Sequence, residues 1–297
     1  MRLRIRHHLH YRFAEPVRNV TQILRMTPRS HEGQHIMNWR IDVDVDCMLK
    51  AGVDGFGNIT HTFTAKGLSE ELAISLFGEI ENFDTAGLIR GSAERLPVDL
   101  FLRGSDLTTA DEPLRRFAET AVAEETTDLG KLHALLDAVH VALPIAGESG
   151  DLKSASDTFA AKTGTSGAVA HVFIACARHL GFPARFASGY YLGEDENGTS
   201  HAWSEAFVGS LGWIGFDAAH AICPQERHIR VASGLDGLAA APVRGTYAAE
   251  LTDRLDITTL FGFDGGQRQS QTQGGQSQSQ GGQSQSQGSG GQSQSQG

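Results

Sequence analysis

The sequence predicts an α+β chain: an N-terminal antiparallel β-sandwich, a second domain built round one buried helix packed on an antiparallel sheet, and an unstructured tail. Three observations carry this. Residues 2–13 alternate apolar and polar with a period of two, and further short runs of that kind follow between Gly and Asx turns. Ala168 to Leu180 is apolar nearly all round over a helical length, the mark of a helix at the centre of a domain. From Gly265 onward the sequence is almost only Gly, Gln and Ser, too polar to offset chain entropy by burial. The expected divisions are residues 1–96, 97–264 and 265–297.

In the first division, Leu3, Ile5, His7, Leu9, Tyr11 and Phe13 form the buried face of a strand whose outer face carries Arg2, Arg4, Arg6, His8, His10 and Arg12. The His7-His8-Leu9-His10 cluster invites a metal, but alternation sends His7 to the face opposite His8 and His10. No carboxylate or cysteine stands beside it in sequence, so it reads as a strand face and not a ligand set. Val20 to Thr27 is a strand stopped by Pro28, and Ile36 to Val45 alternates again. A Gly-rich turn at Asp54 to Asn58 leads into strands at Ile59 to Thr64 and Leu72 to Ile80. Asp84 to Pro97 reads as a linker and Pro97 to Leu102 as an extended crossing.

The second division opens on a helix capped by Asp111, with Pro113 in its first turn and Leu114, Phe117, Ala118, Ala121 and Val122 at helical spacing. Asp128 to Leu143 follows, with Leu132, Leu135, Leu136, Val139 and Leu143 on one face and His133 and His140 outside it. A loop at 145–151 and a short helix at Ser156 to Ala161 lead to the turn Gly164-Thr165-Ser166-Gly167, which opens the buried helix. Gly181 and Pro183 stop that helix. Then come a strand at Ala184 to Leu192, an acidic loop at 194–199, a hairpin spanning His201 to Asp217, a strand at His228 to Ser233 and a terminal strand at Tyr247 to Leu255.

Composition narrows the function classes. Twenty-five Lys and Arg against 35 Asp and Glu give a net charge of -10, which disfavours nucleic acid and anionic lipid as partners. Three cysteines, Cys47, Cys176 and Cys223, match no metal-ligand spacing, and an odd count without Cys-x-x-Cys fits a reducing cytoplasm. Met1 to Arg6 alternates instead of leading into an apolar run, so it reads as a strand and not a signal peptide. No stretch has membrane-spanning length. Cys176 falls mid-helix and reads as a core residue; Cys223 has no activating neighbour in Ile222 or Pro224. Nothing in the sequence sets an oligomeric state.

The candidate chemistry sits at element ends. Ser166 lies at the N-terminus of the buried helix, where unpaired N–H groups and the helix dipole favour negative charge. His201, Trp203, Glu205 and Phe207 share one face of a strand; Trp213, Gly215 and Asp217 share a face of the strand returning after the Gly209 to Gly212 turn. A turn that pairs Trp203 with Asp217 sets His201 and Asp217 diagonally on one face, the imidazole–carboxylate half of a nucleophilic triad. His220, three residues after Asp217, lacks strand context and is assigned to the other face.

The blocks GTSGAVAHVFIACARHLGFPARFASGYY and SHAWSEAFVGSLGWIGFDAAH resemble the transglutaminase-like superfamily, of papain-like fold. RIRHHLHYRF, LRMTPRS and DGFGN resemble the N-terminal region that precedes this domain in many bacterial members. The resemblance implies acyl transfer or hydrolysis at peptide or glutamine-like amides of a peptide or protein substrate, without metal or organic cofactor. It assigns the catalytic histidine to His201 and the orienting carboxylate to Asp217. At the position of the family's catalytic cysteine this chain has Ser166, followed by Gly167 and Ala168 where many relatives carry bulkier polar groups. A thiol of pKa about 8.5 ionises at a helix N-terminus beside an imidazolium, whereas a hydroxyl needs a base in close contact during attack. Three readings stand open: an enzyme weakened at its nucleophile, a pseudoenzyme that binds peptide in the same cleft, and a serine amidase or esterase.

Overall fold

Strand β1 (Arg2–Phe13) buries the face that its alternation predicts and exposes the basic one. In the computed structural model, which describes residues 1–67, 70–92, 94–147, 152–193, 198–247 and 251–263, β1 is hydrogen-bonded on both sides. Its partners are β6 (Glu71–Asn82) and β13 (Leu251–Phe263), and with β3 (Gln34–Val43) they form a sheet of order β13-β1-β6-β3. A second sheet has the order β12-β2-β5-β4, from β2 (Asn19–Thr27), β4 (Lys50–Val53), β5 (Ile59–Lys66) and β12 (Val243–Tyr247). Leu3, Ile5 and Leu9 of β1 and Leu72, Ile74 and Ile80 of β6 share one core with Val20, Leu24 and Met26 of β2 and Phe63 of β5. All these pairings are antiparallel, so the predicted sandwich is present.

The sandwich is finished by residues from the far end of the chain, since β12 pairs with β2 and β13 with β1 along its whole length. Residues 1–265 accordingly form one compact unit. His7 is fully enclosed at this closure: Nδ1 lies 2.9 Å from the Tyr190 hydroxyl and Nε2 lies 2.7 Å from the Asp256 carboxylate. The carboxylate absent from its sequence neighbourhood arrives from 249 residues away.

The third sheet has the order β11-β8-β9-β10-β7, built from β7 (Leu88–Ile89), β8 (Ala184–Leu192), β9 (Gly198–Val208), β10 (Gly212–Phe216) and β11 (His228–Gly234). Four α-helices accompany it among the described residues: α1 (Glu112–Ala121), α2 (Asp128–Ala142), α3 (Ala155–Ala161) and α4 (Ser166–His179). Each begins at a side-chain cap, Asp111, Thr127, Ser154 and Thr165 in turn, which accepts a hydrogen bond from a first-turn N–H. Every residue of α4 from Gly167 to Arg178 is buried. Val169, Val172, Phe173 and Cys176 pack in one cluster with Ala184, Phe186, Ala202, Ala206, Ile214 and Phe216 of the sheet. Strand alternation then turns His201, Trp203 and Glu205 to the sheet's other face.

That other face holds an ionic network. Glu205 is completely buried, with Arg185 Nε 2.6 Å and Arg230 Nε 2.5 Å from its carboxylate oxygens, and Arg185 continues to Glu94 at 2.8 Å. Burial would raise the Glu205 pKa, but Arg230 and Arg185 together bring it down to about 2. The Arg185 guanidinium also lies 3.9 Å over the Trp213 ring.

Some local expectations change. Residues 98–102 form a short 3-10 helix instead of an extended crossing, entered from Pro97 and burying Phe101 edge-on against Trp213 at 5.1 Å between ring centres. The linker contributes β7, whose two residues pair with Trp213 and Ile214 but are too few to leave a pattern in sequence. The terminal strand expected at 247–255 is instead β12 followed by the longer β13. The low-complexity tail, part of the 145–151 loop and most of the acidic loop at 194–199 lie outside the described residues.

Replacing Glu205 by Ala leaves Arg230 buried without a carboxylate partner and Arg185 with only Glu94. Breaking a buried ion pair on one side costs about 3–5 kcal/mol, so urea denaturation of Glu205→Ala is expected to show a loss of that size. A loss indistinguishable from that of an exposed control such as Glu112→Ala would contradict this placement.

Candidate functional site

The hairpin of β9 and β10 pairs Phe216 with Ser204 and Gly215 with Glu205, so the next positions, Asp217 and Trp203, face each other as the turn geometry predicts. His201 sits one step diagonally away. Its Nε2 is 2.7 Å from Asp217 Oδ2, with the carboxylate fully buried and the imidazole nearly so. Ser166 begins α4, half-buried, and its hydroxyl makes no hydrogen bond among the described residues. The structure thus joins His201 to Asp217 and leaves Ser166 without a direct bond to either. With Nε2 committed to Asp217, Nδ1 is the His201 atom left to meet a nucleophile.

Asp217 has further partners that the sequence reading missed. His220 Nδ1 lies 2.8 Å and His228 Nε2 lies 3.1 Å from the same Oδ2, while Oδ1 accepts the Ala219 N–H at 3.1 Å. His220 therefore turns into the site, not to the other face. The chain leaves β10 in a tight turn in which the Asp217 N–H donates to the Ile222 carbonyl and Ala221 takes a φ of 55°, folding the His220 ring back over the carboxylate. His228 arrives from β11, whose His-Ile-Arg-Val-Ala-Ser run has the pattern of a strand and no local signal for a site. The Tyr191 ring faces all three imidazoles, with ring centres 5.5 Å from His201, 4.3 Å from His220 and 4.6 Å from His228.

Electrostatics separate these groups. Burial would raise the Asp217 pKa, yet the charge of His201 and the bonds from His201, His220 and His228 hold it well below the ordinary carboxylate range. The hydrogen bond to Asp217 raises His220, which is partly open to solvent, whereas burial lowers His228. The Gln225 N–H points at His228 Nδ1, 3.2 Å away, which fixes the proton of the neutral ring on Nε2. One ligand atom each from His201, Asp217 and His220 lies within 4.8 Å of the others, the spacing of a possible metal set.

Behind His228 is a cavity of about 40 Å³, lined in part by Trp203, His31, Glu205 and Arg230. The Trp203 indole N–H and His31 Nε2 are both buried there without a partner among the described residues. His31 Nδ1 accepts the Gly33 N–H, and burial, with Arg230 nearby, lowers its pKa to about 4, so the ring is neutral and Nε2 is a donor.

The cysteines supply no replacement nucleophile. Cys176 is enclosed in α4, and burial pushes its thiol up to about 12. Cys223 Sγ does have a partner, His133 Nε2 at 3.6 Å, but burial and the charge of Asp84 raise its pKa. His140 bonds through Nδ1 to the Ala218 carbonyl at 3.0 Å, fastening α2 to the Asp217 turn.

Residues 3–81 match the family described as the bacterial transglutaminase-like N-terminal region, and residues 115–218 match the transglutaminase-like superfamily. An uncharacterized protein of Mycobacterium leprae is 25% identical over 275 residues, 86% of this chain and 96% of its own length. Among solved structures, a candidate cysteine protease from Cytophaga hutchinsonii superposes with a TM-score of 0.69 at 20% identity, covering 89% of this chain and 92% of that one. The periplasmic domain of TgpA from Pseudomonas aeruginosa has a TM-score of 0.36 at 15% identity, covering 72% of this chain and 87% of that one.

The raised His220 pKa has a definite sign. Its contribution to stability is complete below about 6.5, the ordinary histidine value, and is lost as pH rises through the higher folded value. Asp217, depressed, contributes above about 3.9 and loses that contribution as pH falls toward its folded value. NMR titration of the ring protons should place His220 above His228, and Asp217→Asn should move His220 downward. A His220 titration unchanged in that variant would show that the carboxylate is not its partner.

Proposed function

Because this chain belongs to the transglutaminase-like superfamily and carries the bacterial transglutaminase-like N-terminal region, we propose that it acts on carbonyls of peptide or glutamine-like amides, with Ser166 as acyl acceptor, His201 as acid and base, and Asp217 as its orienting carboxylate. The observation that carries this reading is the 2.7 Å bond between His201 Nε2 and the buried Asp217, which leaves Nδ1 in the role of base. In the forward step the Ser166 Oγ bonds to the substrate carbonyl carbon as its proton passes to His201 Nδ1. That proton then goes to the leaving amine, and the C–N bond breaks to give an ester on Ser166. Water or a second amine reverses the sequence and frees the acyl group. The charge on Asp217 stabilises the imidazolium formed between these steps.

Oxyanion donors come from the start of α4. The Thr165 side chain accepts the Ala168 N–H and the Thr165 carbonyl accepts that of Val169. The N–H groups of Ser166 and Gly167 precede the helix's own ladder and are available to a negative oxygen. A serine here keeps those donors while giving up the ionised sulfur.

A second reading, peptide binding without turnover, is favoured by the absence of a hydrogen bond between Ser166 and His201 in this structure. Both readings predict the same cleft and differ in covalent chemistry. Ser166→Cys is expected to gain rapid labelling by iodoacetamide and release of ammonia or amine from glutamine-containing peptides, with His201→Ala abolishing the release. The native chain should react slowly with a fluorophosphonate at Ser166. A Ser166→Cys variant that binds such peptides but neither labels nor releases amine would support binding alone.

A further inference from the structure

We propose that His201, His220 and Asp217 form a binding site for a divalent transition-metal ion of the zinc class, and that its occupancy withdraws His201 from base catalysis. This goes beyond the acyl-transfer reading and does not depend on the chemistry of Ser166.

The argument starts from the crowding at one oxygen. Asp217 Oδ2 has three imidazole nitrogens at 2.7, 2.8 and 3.1 Å. A carboxylate oxygen has two lone pairs in its plane, so three convergent N–H donors exceed what it accepts with good geometry. Nitrogens aimed at one point are also what a metal requires. A zinc ion takes imidazole nitrogens at about 2.0–2.1 Å and carboxylate oxygens at about 2.0–2.2 Å. One ligand atom each from His201, His220 and Asp217 already lies within 4.8 Å of the others, so modest side-chain motion round an inserted ion meets those distances.

The three rings do not play equal parts. His228 Nδ1 accepts the Gln225 N–H, so its Nε2 keeps a proton and serves as a donor to the Asp217 carboxylate. It fits the role of an outer hydrogen bond that orients a metal-bound carboxylate. The His220 ring makes no second hydrogen bond among the described residues and coordinates through Nδ1 as it loses that proton. It is also the exposed member, with 39% of its side chain open to solvent, and so provides the entry path to a buried carboxylate. Tyr191 packs against the His220 ring and holds its plane. Two imidazoles and a carboxylate leave a fourth position for water, a donor set that suits zinc, cobalt or nickel better than calcium or magnesium. Coordination through Nε2 puts the His201 proton on Nδ1, the atom the acyl-transfer reading needs unprotonated.

Cobalt(II) is the probe, since a low-coordinate site gives it a visible spectrum. Titration of the full, untagged chain is expected to show one cobalt ion bound per chain with visible absorption, displaced by zinc. His220→Asn should weaken binding at least tenfold, while the double change His8→Asn and His10→Asn, which removes the stacked surface pair on β1, leaves it unaltered. Ring-proton signals of His201 and His220 in the native chain should broaden together on adding cobalt, a readout independent of how any variant folds. Absence of binding at millimolar cobalt, binding indifferent to His220→Asn, or broadening confined to His8 and His10 would overturn the proposal. In Ser166→Cys, zinc should suppress amide turnover in parallel with site occupancy. That arm tests the inhibitory consequence, whereas the cobalt titration reads binding even in a chain with no turnover.

Discussion

The carboxylate of Asp217 is the constraint to which this end of the molecule answers. It is wholly enclosed, and among the described residues the partners of its side chain are three imidazoles and one backbone N–H, with no guanidinium or ammonium in contact. An isolated buried carboxylate is costly enough that it normally neutralises or finds a counter-charge. Here the counter-charge has to come from a histidine, and the three candidates differ in solvent access. His228 is lowered by burial, while His220, with one side open to water, is raised by the same carboxylate. The charge of His201 and the hydrogen bonds from all three rings together hold the buried carboxylate ionised.

The scaffold behind this cluster explains how it stays in register. Strand β9 contributes alternate residues to two environments: Ala202 and Ala206 to the apolar cluster round α4, and His201, Trp203 and Glu205 to the opposite face. Glu205 is clamped by Arg185 from β8 and Arg230 from β11, so one buried carboxylate binds three neighbouring strands. Two residues along β9, Trp203 packs edge-on against His228 at 5.4 Å and lies against His201 at 6.1 Å between ring centres. A slip of β9 by one residue would exchange its two faces and break the ionic clamp and the histidine cluster together. Gly189, paired with His201 across the ladder, is needed for the same packing: a side chain there would strike the Ile229 carbonyl and the Trp203 ring.

What the sequence made legible follows the physics of local signals. The alternation of β1, the all-round apolarity of α4 and the His201–Asp217 diagonal each depend on residues close together in the chain, and each is present in the structure. The start of α1 is readable because the capping Asp111 sits next to the helix it caps, whereas α3 begins at Ala155, capped by Ser154, one residue before the expected Ser156. Contacts made across long separations left no trace. The pairing of β13 with β1, the His7–Asp256 bond and the delivery of His228 all depend on the sheet order, which local periodicity does not encode. His220 was misplaced for a different reason: extrapolating strand alternation past Phe216 fails once the chain turns at Asp217.

The same cluster bears on the serine at position 166. A cysteine in this place stores charge on sulfur before attack, and an imidazolium at His201 is its natural partner. A serine cannot ionise there, so the acyl transfer proposed above requires a neutral His201 at the moment of attack. His220, raised by its hydrogen bond to Asp217, is a second group beside that carboxylate able to carry a proton. Asp217 is in this way the meeting point of three elements, the β9 strand through His201, the turn after β10 through His220 and β11 through His228.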